Sequence, residues 1–435
     1  MTAANEMLFA ALKAAAQGVL VYPIDPMTKK PLVIDPATEA TDDPEIIEGW
    51  WQKYPTALIG IIKRPQISAT RFAMVDPRSI PRRQWLYGRH LIRGFVSVTI
   101  APGGVGKSSL TITQSLAMVS GKDLLGIAPA NKLRVWIWNG EDPSDELLRR
   151  VTAACLHYDL DASDVDGLFL DSGRQMPVVL AEQTRNGTEV AQLVIDAIVR
   201  TAQDNRIDCI IIDPFVATHR VNENDNTAMD LVAKAWGQIA ERTNAAIELV
   251  HHSRKTHGGD TGVEDARGAS ALIAAARSAV VLNAMKPSEA TQAGLESHRG
   301  YFRVDSGKAN LAPPSDEASW FQLTSVRLHN GDDVAVVVPW SWPNPLDTVS
   351  VADLRAAQHA VASGGPWRDN CQAKAWVGKP IAEALKLDLE NPVQKARIKS
   401  LLKIWTAAGM FVVVNGVDSK RNPRAFVEVG EWATD

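Results

Sequence analysis

Three cysteines in 435 residues, Cys155, Cys209 and Cys371, are too few and too widely spaced for a disulfide framework or a cysteine-based zinc cluster. They suggest reduced thiols in a cytoplasmic setting. No apolar run reaches the ~18 residues that a membrane-spanning helix needs, so no membrane span is expected. The first residues lack a basic stretch followed by an apolar core, so no secretory signal is expected. An excess of positive charge is missing too: 46 Lys and Arg stand against 50 Asp and Glu, a net charge of −4. A nucleic-acid partner would therefore have to meet a local basic surface, such as the inside of a ring. There is no internal repeat and no long low-complexity tract. What remains is an ordinary globular composition, 46% hydrophobic and 22% charged, with 13 tryptophans expected in core and interface packing. At ~100–200 residues per domain, the length fits two or three domains.

Three segments separate by composition. Residues 1–88 hold an Ala-rich, helix-like start followed by turn-rich sequence. Residues 89–345 alternate short β-branched runs with helical patterns, which predicts an α/β domain with a mostly parallel sheet. The proline-punctuated stretch Pro339–Pro345 reads as a linker. Residues 350–435 read as a small helical domain ending in a hairpin.

The middle segment carries the chemistry. An apolar run, Phe95–Ile100, leads into Ala101-Pro102-Gly103-Gly104-Val105-Gly106-Lys107-Ser108-Ser109 and then a helical pattern. Strand, glycine loop and helix form the context of a phosphate-binding loop. Glycines let consecutive backbone N–H groups turn toward phosphate oxygens, and the helix N-terminus adds a positive field. Lys107 is expected to reach the β- and γ-phosphates of ATP, and the Ser108 hydroxyl to sit on Mg²⁺. Ala101 stands where the consensus has its first glycine; the position needs a small residue more than it needs glycine.

Further strand ends add polar groups. Arg134–Trp138 is followed by Asn139-Gly140-Glu141-Asp142-Pro143, where Glu141 is placed to polarise a water on the γ-phosphate. A second reading has Glu141 and Asp142 capping the next helix, and Asp142 fits that better than catalysis. Ile207–Asp213 reads as a Walker B strand whose Asp213 serves Mg²⁺ directly or through water. Ala246–Val250 ends in His251-His252-Ser253-Arg254-Lys255, and a polar group there can respond to the γ-phosphate. Zinc binding by His251, His252 and His257, or a plain polar strand end, are the other readings. Arg267 precedes a helical run and is able to reach a neighbouring subunit's nucleotide; an ordinary surface arginine is the alternative.

The ordered set Ala-Pro-Gly-Gly-Val-Gly-Lys-Ser, Glu141-Asp142-Pro143, Ile-Ile-Asp213, His251-His252-x-x-Lys255, Arg267-Gly268 and Lys308-Ala-Asn310 resembles the RepA-type hexameric helicases of plasmid replication, members of the RecA-like ATPases. The resemblance covers about residues 85–325. It implies a homo-hexameric ring with ATP between neighbours, Glu141 activating water and His252 sensing the γ-phosphate. Arg267 becomes an arginine finger acting in trans, and Lys308 approaches the neighbouring nucleotide. It also implies that the loops after the Walker B and His-His strands face a central channel. Their cations and polar groups, His219 and Arg220 in the first and Arg254 and Lys255 in the second, would then track single-stranded DNA.

The flanks carry weaker likenesses. Residues about 17–62 look like the opening of a bifunctional primase–polymerase domain, but no paired acids on a strand follow, so nucleotidyl transfer is not predicted. The segment reads as a remnant used for docking or DNA contact. The C-terminal segment resembles a winged helix, with Lys395, Arg397, Lys399 and Lys403 available to DNA phosphates or simply solvated. The expectation is a RecA-like ATPase core with a winged-helix-like module, acting as an ATP-dependent DNA helicase in replication of a phage, plasmid or integrated element. A primase or replication initiator is a possible partner. The alternatives are an initiator or loader that binds DNA without unwinding it, and a nucleotide-dependent regulator.

Overall fold

The computed structural model describes residues 3–63, 68–185, 187–253, 259–266, 270–313, 317–347, 349–418 and 421–434. The chain divides into two compact units, Met1–Pro81 and Arg82–Asp435.

In the first unit, Val19–Ile24 pairs antiparallel with Leu58–Lys63, and helices Ala3–Ala15 and Pro44–Lys53 pack against the pair. The second helix starts where Asp43 accepts from the backbone N–H of Glu45 and Pro44 presets the first turn. Ala11, Val21, Ile47, Trp51 and Ala57 form its small core. A Cβ on Gly60 would lie 2.3 Å from the Tyr22 ring, so only glycine lets that ring cross the neighbouring strand. Neither strand, Val-Leu-Val-Tyr-Pro-Ile or Leu-Ile-Gly-Ile-Ile-Lys, contains an acid.

The second unit is built on a nine-stranded sheet. Its order is Asp333–Pro339, Ser319–Arg327, Tyr301–Ala309, Ser278–Ala284, Val96–Ala101, Ala246–His252, Cys209–Asp213, Val135–Asn139, Leu168–Ser172. The last six run parallel, and the first three form an antiparallel edge. This is the mixed α/β architecture with a mostly parallel sheet that the alternating pattern implied. The central strands are buried on both faces, as a parallel sheet between helical layers requires. Val96, Val98 and Ile100 join one core with Ile210, Ile212, Phe215 and Trp236. Cys209, Ile211 and Val250 join the other, beneath Leu110, Leu116 and Met118 of helix Lys107–Ser120.

Sheet order differs from chain order, and that builds the site. The strand entering the phosphate loop lies between Ala246–His252 and Ser278–Ala284, not beside the next strand in sequence. In register, Ala101 faces His252, Ile212 faces Leu249, and Asp213 faces Asn139. Four strand ends therefore open onto one crevice at the carboxyl edge of the sheet.

Pro339–Pro345 is less free than its prolines suggested. Trp340 and Trp342 stack edge-on with Trp320 at 5.7 and 5.4 Å, and Trp340 also meets Tyr301 at 5.4 Å. The segment beyond it contains helices Val351–Ala362, Gly378–Ala384 and Pro392–Ala407 and a three-stranded antiparallel sheet of Trp367–Arg368, Pro423–Val429 and Phe411–Val417. Asn415-Gly416 lies within the strand, and beyond the strand's end at Val417 Asp418 pairs with Arg424. Lys420 falls outside the described residues. Helix Pro392–Ala407 buries Ile398, Leu401, Leu402 and Trp405 and leaves Lys399 and Lys403 exposed. Its first turn packs beside the rest of the unit, where a Cβ on Gly294 would stand 3.7 Å from Val393.

Candidate active site

The phosphate loop leaves the sheet at Ala101, which is fully buried. A small side chain suits that position, in agreement with its departure from glycine. Gly104 and Gly106 take φ of +80° and +108°, a region that side chains resist. Gly106 is the N-cap of helix Lys107–Ser120, and a Cβ there would lie 3.2 Å from Leu323. The Lys107 side chain is nearly buried at 8% exposure, and its Nζ lies 3.1 Å from His252 Nε2. His252 Nε2 is 3.7 Å from Glu141 Oε1. Residues 107, 141 and 252 thus meet over the loop although their sequence positions are far apart.

Asn139, at the end of its strand, orders the Glu141 loop. Its Oδ1 accepts from the backbone N–H groups of Glu141 (3.0 Å) and Asp142 (2.7 Å). Arg174 Nε donates to the Glu141 carbonyl at 2.7 Å, which leaves the carboxylate exposed toward the crevice. The capping reading is not what the structure has. Helix Ser144–His157 has Pro143 at its N-cap with no side-chain cap, and the Asp142 carboxylate pairs with Arg150 at 3.2 Å.

Asp213 is 2% exposed, and neither of its oxygens meets hydrogen-bond geometry with any described group. Burial pushes its carboxyl up; the Ser108 hydroxyl and Lys107 pull against this, while Glu141 and Asp142 add to it. Two orphaned oxygens beside a serine hydroxyl are the hard donors that Mg²⁺ takes together with phosphate oxygens and water, so Ser108 and Asp213 fit that ion. Among the described residues no three His, Cys, Asp or Glu converge on a metal position, and His257 of the zinc reading lies outside them.

The crevice is a cleft of about 660 Å³ bounded by Gly104, Lys107, Ser108, Glu141 and Asp142. Sequence reading missed its other wall. Arg149 and Arg150 line it from helix Ser144–His157, held by acids: Arg149 by Asp145 (2.9 Å) and Asp332 (2.8 Å), and Arg150 by Glu146 (2.9 Å) and Asp142. The i,i+4 spacing to Asp145 and Glu146 was a visible signal for ion pairing, not for the cleft. Asp332 arrives from the turn between Ser319–Arg327 and Asp333–Pro339, which local sequence does not place.

The remaining candidates distribute differently. Lys308 lies away from the phosphate loop: its Nζ donates to the carbonyls of Ile273 (2.5 Å) and Ala274 (3.2 Å), and it lines a separate cavity of about 410 Å³ with His90 and Ser278. Burial and Arg277 lower its pKa. His219 does not face a channel. Its ring is buried against Phe215, and burial, with His251, pushes it down to about 4, so it is neutral near pH 7. A polar residue just past a strand looked like surface in sequence; here it packs into the core. Arg220 beside it is exposed, 3.4 Å from Glu182. Arg254, Lys255 and Arg267 lie outside the described residues.

Residues 63–258 match the AAA domain family, and residues 11–76 match the N-terminal region of bifunctional DNA primase/polymerases. The chain carries a P-loop ATPase domain, and the two matches together fit the RepA-like primase–helicase arrangement that the motif order resembles. Among solved structures, the RadB recombinase is similar over 53% of this chain and 88% of its own, with 14% identity and a TM-score of 0.35. No described helix is long and apolar enough to cross a membrane.

Proposed function

We propose that this chain is an ATP-driven DNA translocase and helicase that serves the replication of a phage, plasmid or integrated element. The carrying observation is the convergence of Lys107, His252 and Glu141 over the phosphate loop, with the unpartnered carboxylate of Asp213 beside them. That set suits hydrolysis of a nucleoside triphosphate. Lys107 and the loop N–H groups hold the phosphates, Glu141 orients and deprotonates the attacking water, and His252 registers the γ-phosphate. Ser108 and Asp213 would hold Mg²⁺, which when bound neutralises phosphate charge.

The cations lining the cleft among the described residues are Lys107 and the acid-paired Arg149 and Arg150. The motif order, which resembles that of RepA-type hexameric helicases, supports a ring of six copies in which Arg267 and Lys308 of one subunit serve the nucleotide of the next. Single-stranded DNA would run past Arg220, Arg254 and Lys255. The primase–polymerase-like region lacks acids on its two strands, so it suits docking, to DNA or to a separate primase or initiator, better than nucleotidyl transfer. The C-terminal segment, with its helix–strand–helix–helix–hairpin order, is read as a winged-helix-like module.

A strand-displacement assay with the wild type and Lys107→Ala tests this. ATP-dependent unwinding that the variant loses supports the motor. DNA-stimulated hydrolysis without unwinding replaces it with an initiator or loader.

A further inference from the structure

We propose that the turn Phe215–Thr218 links the nucleotide site to the DNA-facing loop, with Phe215 and His219 as positioning residues. The inference rests on the DNA-dependent reading above for its output, but not for its mechanics. The turn begins two residues after Asp213 and is a closed block. Thr218 Oγ1 donates to the Phe215 carbonyl (2.8 Å), Ala217 N–H to the Pro214 carbonyl (3.1 Å), and Leu180 N–H to the Thr218 carbonyl (2.7 Å).

Three functional segments touch this block. Gly140, next to Glu141, is so close that a Cβ on it would stand 2.4 Å from Ala217 Cβ. The fully buried Phe215 ring meets His251, next to His252, edge-on at 5.7 Å and 79°. On its other side Phe215 meets His219 at 5.0 Å, and Arg220 is the first side chain to emerge into solvent after it. The water-activating loop and the γ-phosphate sensor thus bear on one rigid turn, and the turn carries Arg220. Close-packed interiors pass on a displacement instead of absorbing it. A neutral, buried imidazole acts here as a packing ring, not as a charge.

The test uses the full chain with a non-hydrolysable ATP analogue and Mg²⁺, in wild type, Phe215→Leu, His219→Leu and His219→Phe. Hydrogen exchange of the 219–226 amides is measured with and without analogue, and ATP hydrolysis is titrated with oligo-dT. In the wild type the analogue changes exchange at 219–226. Phe215→Leu and His219→Leu bind analogue normally and keep basal hydrolysis, but lose that change and lose maximal DNA stimulation by about threefold to thirtyfold, with the half-saturating DNA concentration unaltered. His219→Phe, which keeps the ring contact, restores both. Arg220→Ala shows the reverse: a raised half-saturating concentration and unaltered maximal stimulation.

The link is overturned if the wild type shows no exchange response, if the leucine variants respond like wild type, or if their basal and stimulated rates fall together. An intact exchange response that the leucine variants lose, in a wild type that DNA does not stimulate, refutes the helicase reading and supports the link.

Discussion

Lys107 Nζ stands 3.1 Å from His252 Nε2. Nζ also stands 3.3 Å from His252 Nδ1, so the ammonium faces the imidazole as a whole. An incoming γ-phosphate offers Lys107 a stronger, charge-assisted partner. In the proposed function His252 would then shift toward Glu141, 3.7 Å away. In that proposal, phosphate arrival and a change at the strand carrying His252 are one event.

Lys107→Ala removes the cation from the phosphates, and hydrolysis is expected to fall by about 10²–10³. His252→Asn leaves the phosphate loop intact, so nucleotide affinity stays near wild type while turnover and its DNA stimulation fall. Equilibrium binding of a fluorescent ATP analogue beside steady-state hydrolysis separates the two effects.

Gly140→Ala tests how tightly the water-activating loop is held. The added methyl would overlap Ala217 and press on the Trp138 ring at 3.0 Å. The loop has to move, and a shift of about 1 Å at Glu141 costs up to ~10²-fold in turnover with little change in ATP binding. Pre-steady-state hydrolysis measures this; unaltered turnover would show that Glu141 has no positional role.

His219 gives a pH dependence with a definite sign. Its folded pKa is pushed down to about 4 against an ordinary 6.5. Between these values the unfolded chain binds a proton that the folded chain does not, so stability is full above about pH 6.5 and is lost as pH falls toward 4. The contribution is at most ~3 kcal/mol. Thermal melts of wild type and His219→Leu at pH 7.5 and 5 should show a smaller acid loss in the variant.

The shared site predicts complementation between dead subunits. In the proposed ring, Arg267→Ala would lack the finger that serves its neighbour, and Glu141→Gln would lack its own base. Mixed rings contain interfaces with a good base on one side and a good finger on the other, so mixtures should hydrolyse ATP where neither variant alone does. No recovered hydrolysis at any ratio would count against the arrangement.

Much of this was legible in the chain because the strands Cys209–Asp213, Val135–Asn139 and Ala246–His252 are short apolar runs that end on a polar residue at the sheet's carboxyl edge. Asp213, His252 and the Asn139–Glu141 loop all stand out in that way. The order of strands was not legible, since it is set by long-range packing, and with it went the second wall of the cleft, Arg149, Arg150 and Asp332. His219 was misjudged because a histidine after a strand end carries no local sign of being buried; the Phe215 ring that packs on it is itself packed against His251, from a distant strand. Asp142 had the composition of a cap but found a stronger partner in Arg150. The Pro339–Pro345 segment looked like a bare linker because its tryptophans meet Trp320 and Tyr301 only across the sheet edge.

The most direct measurement is strand displacement on a forked duplex with purified wild type and Lys107→Ala, run beside ATP hydrolysis with and without single-stranded DNA. An ATP-driven ring motor separates the strands, is stimulated by single-stranded DNA, and loses both activities in the variant. Wild-type protein that hydrolyses ATP and binds the fork yet separates no strands would contradict the helicase function.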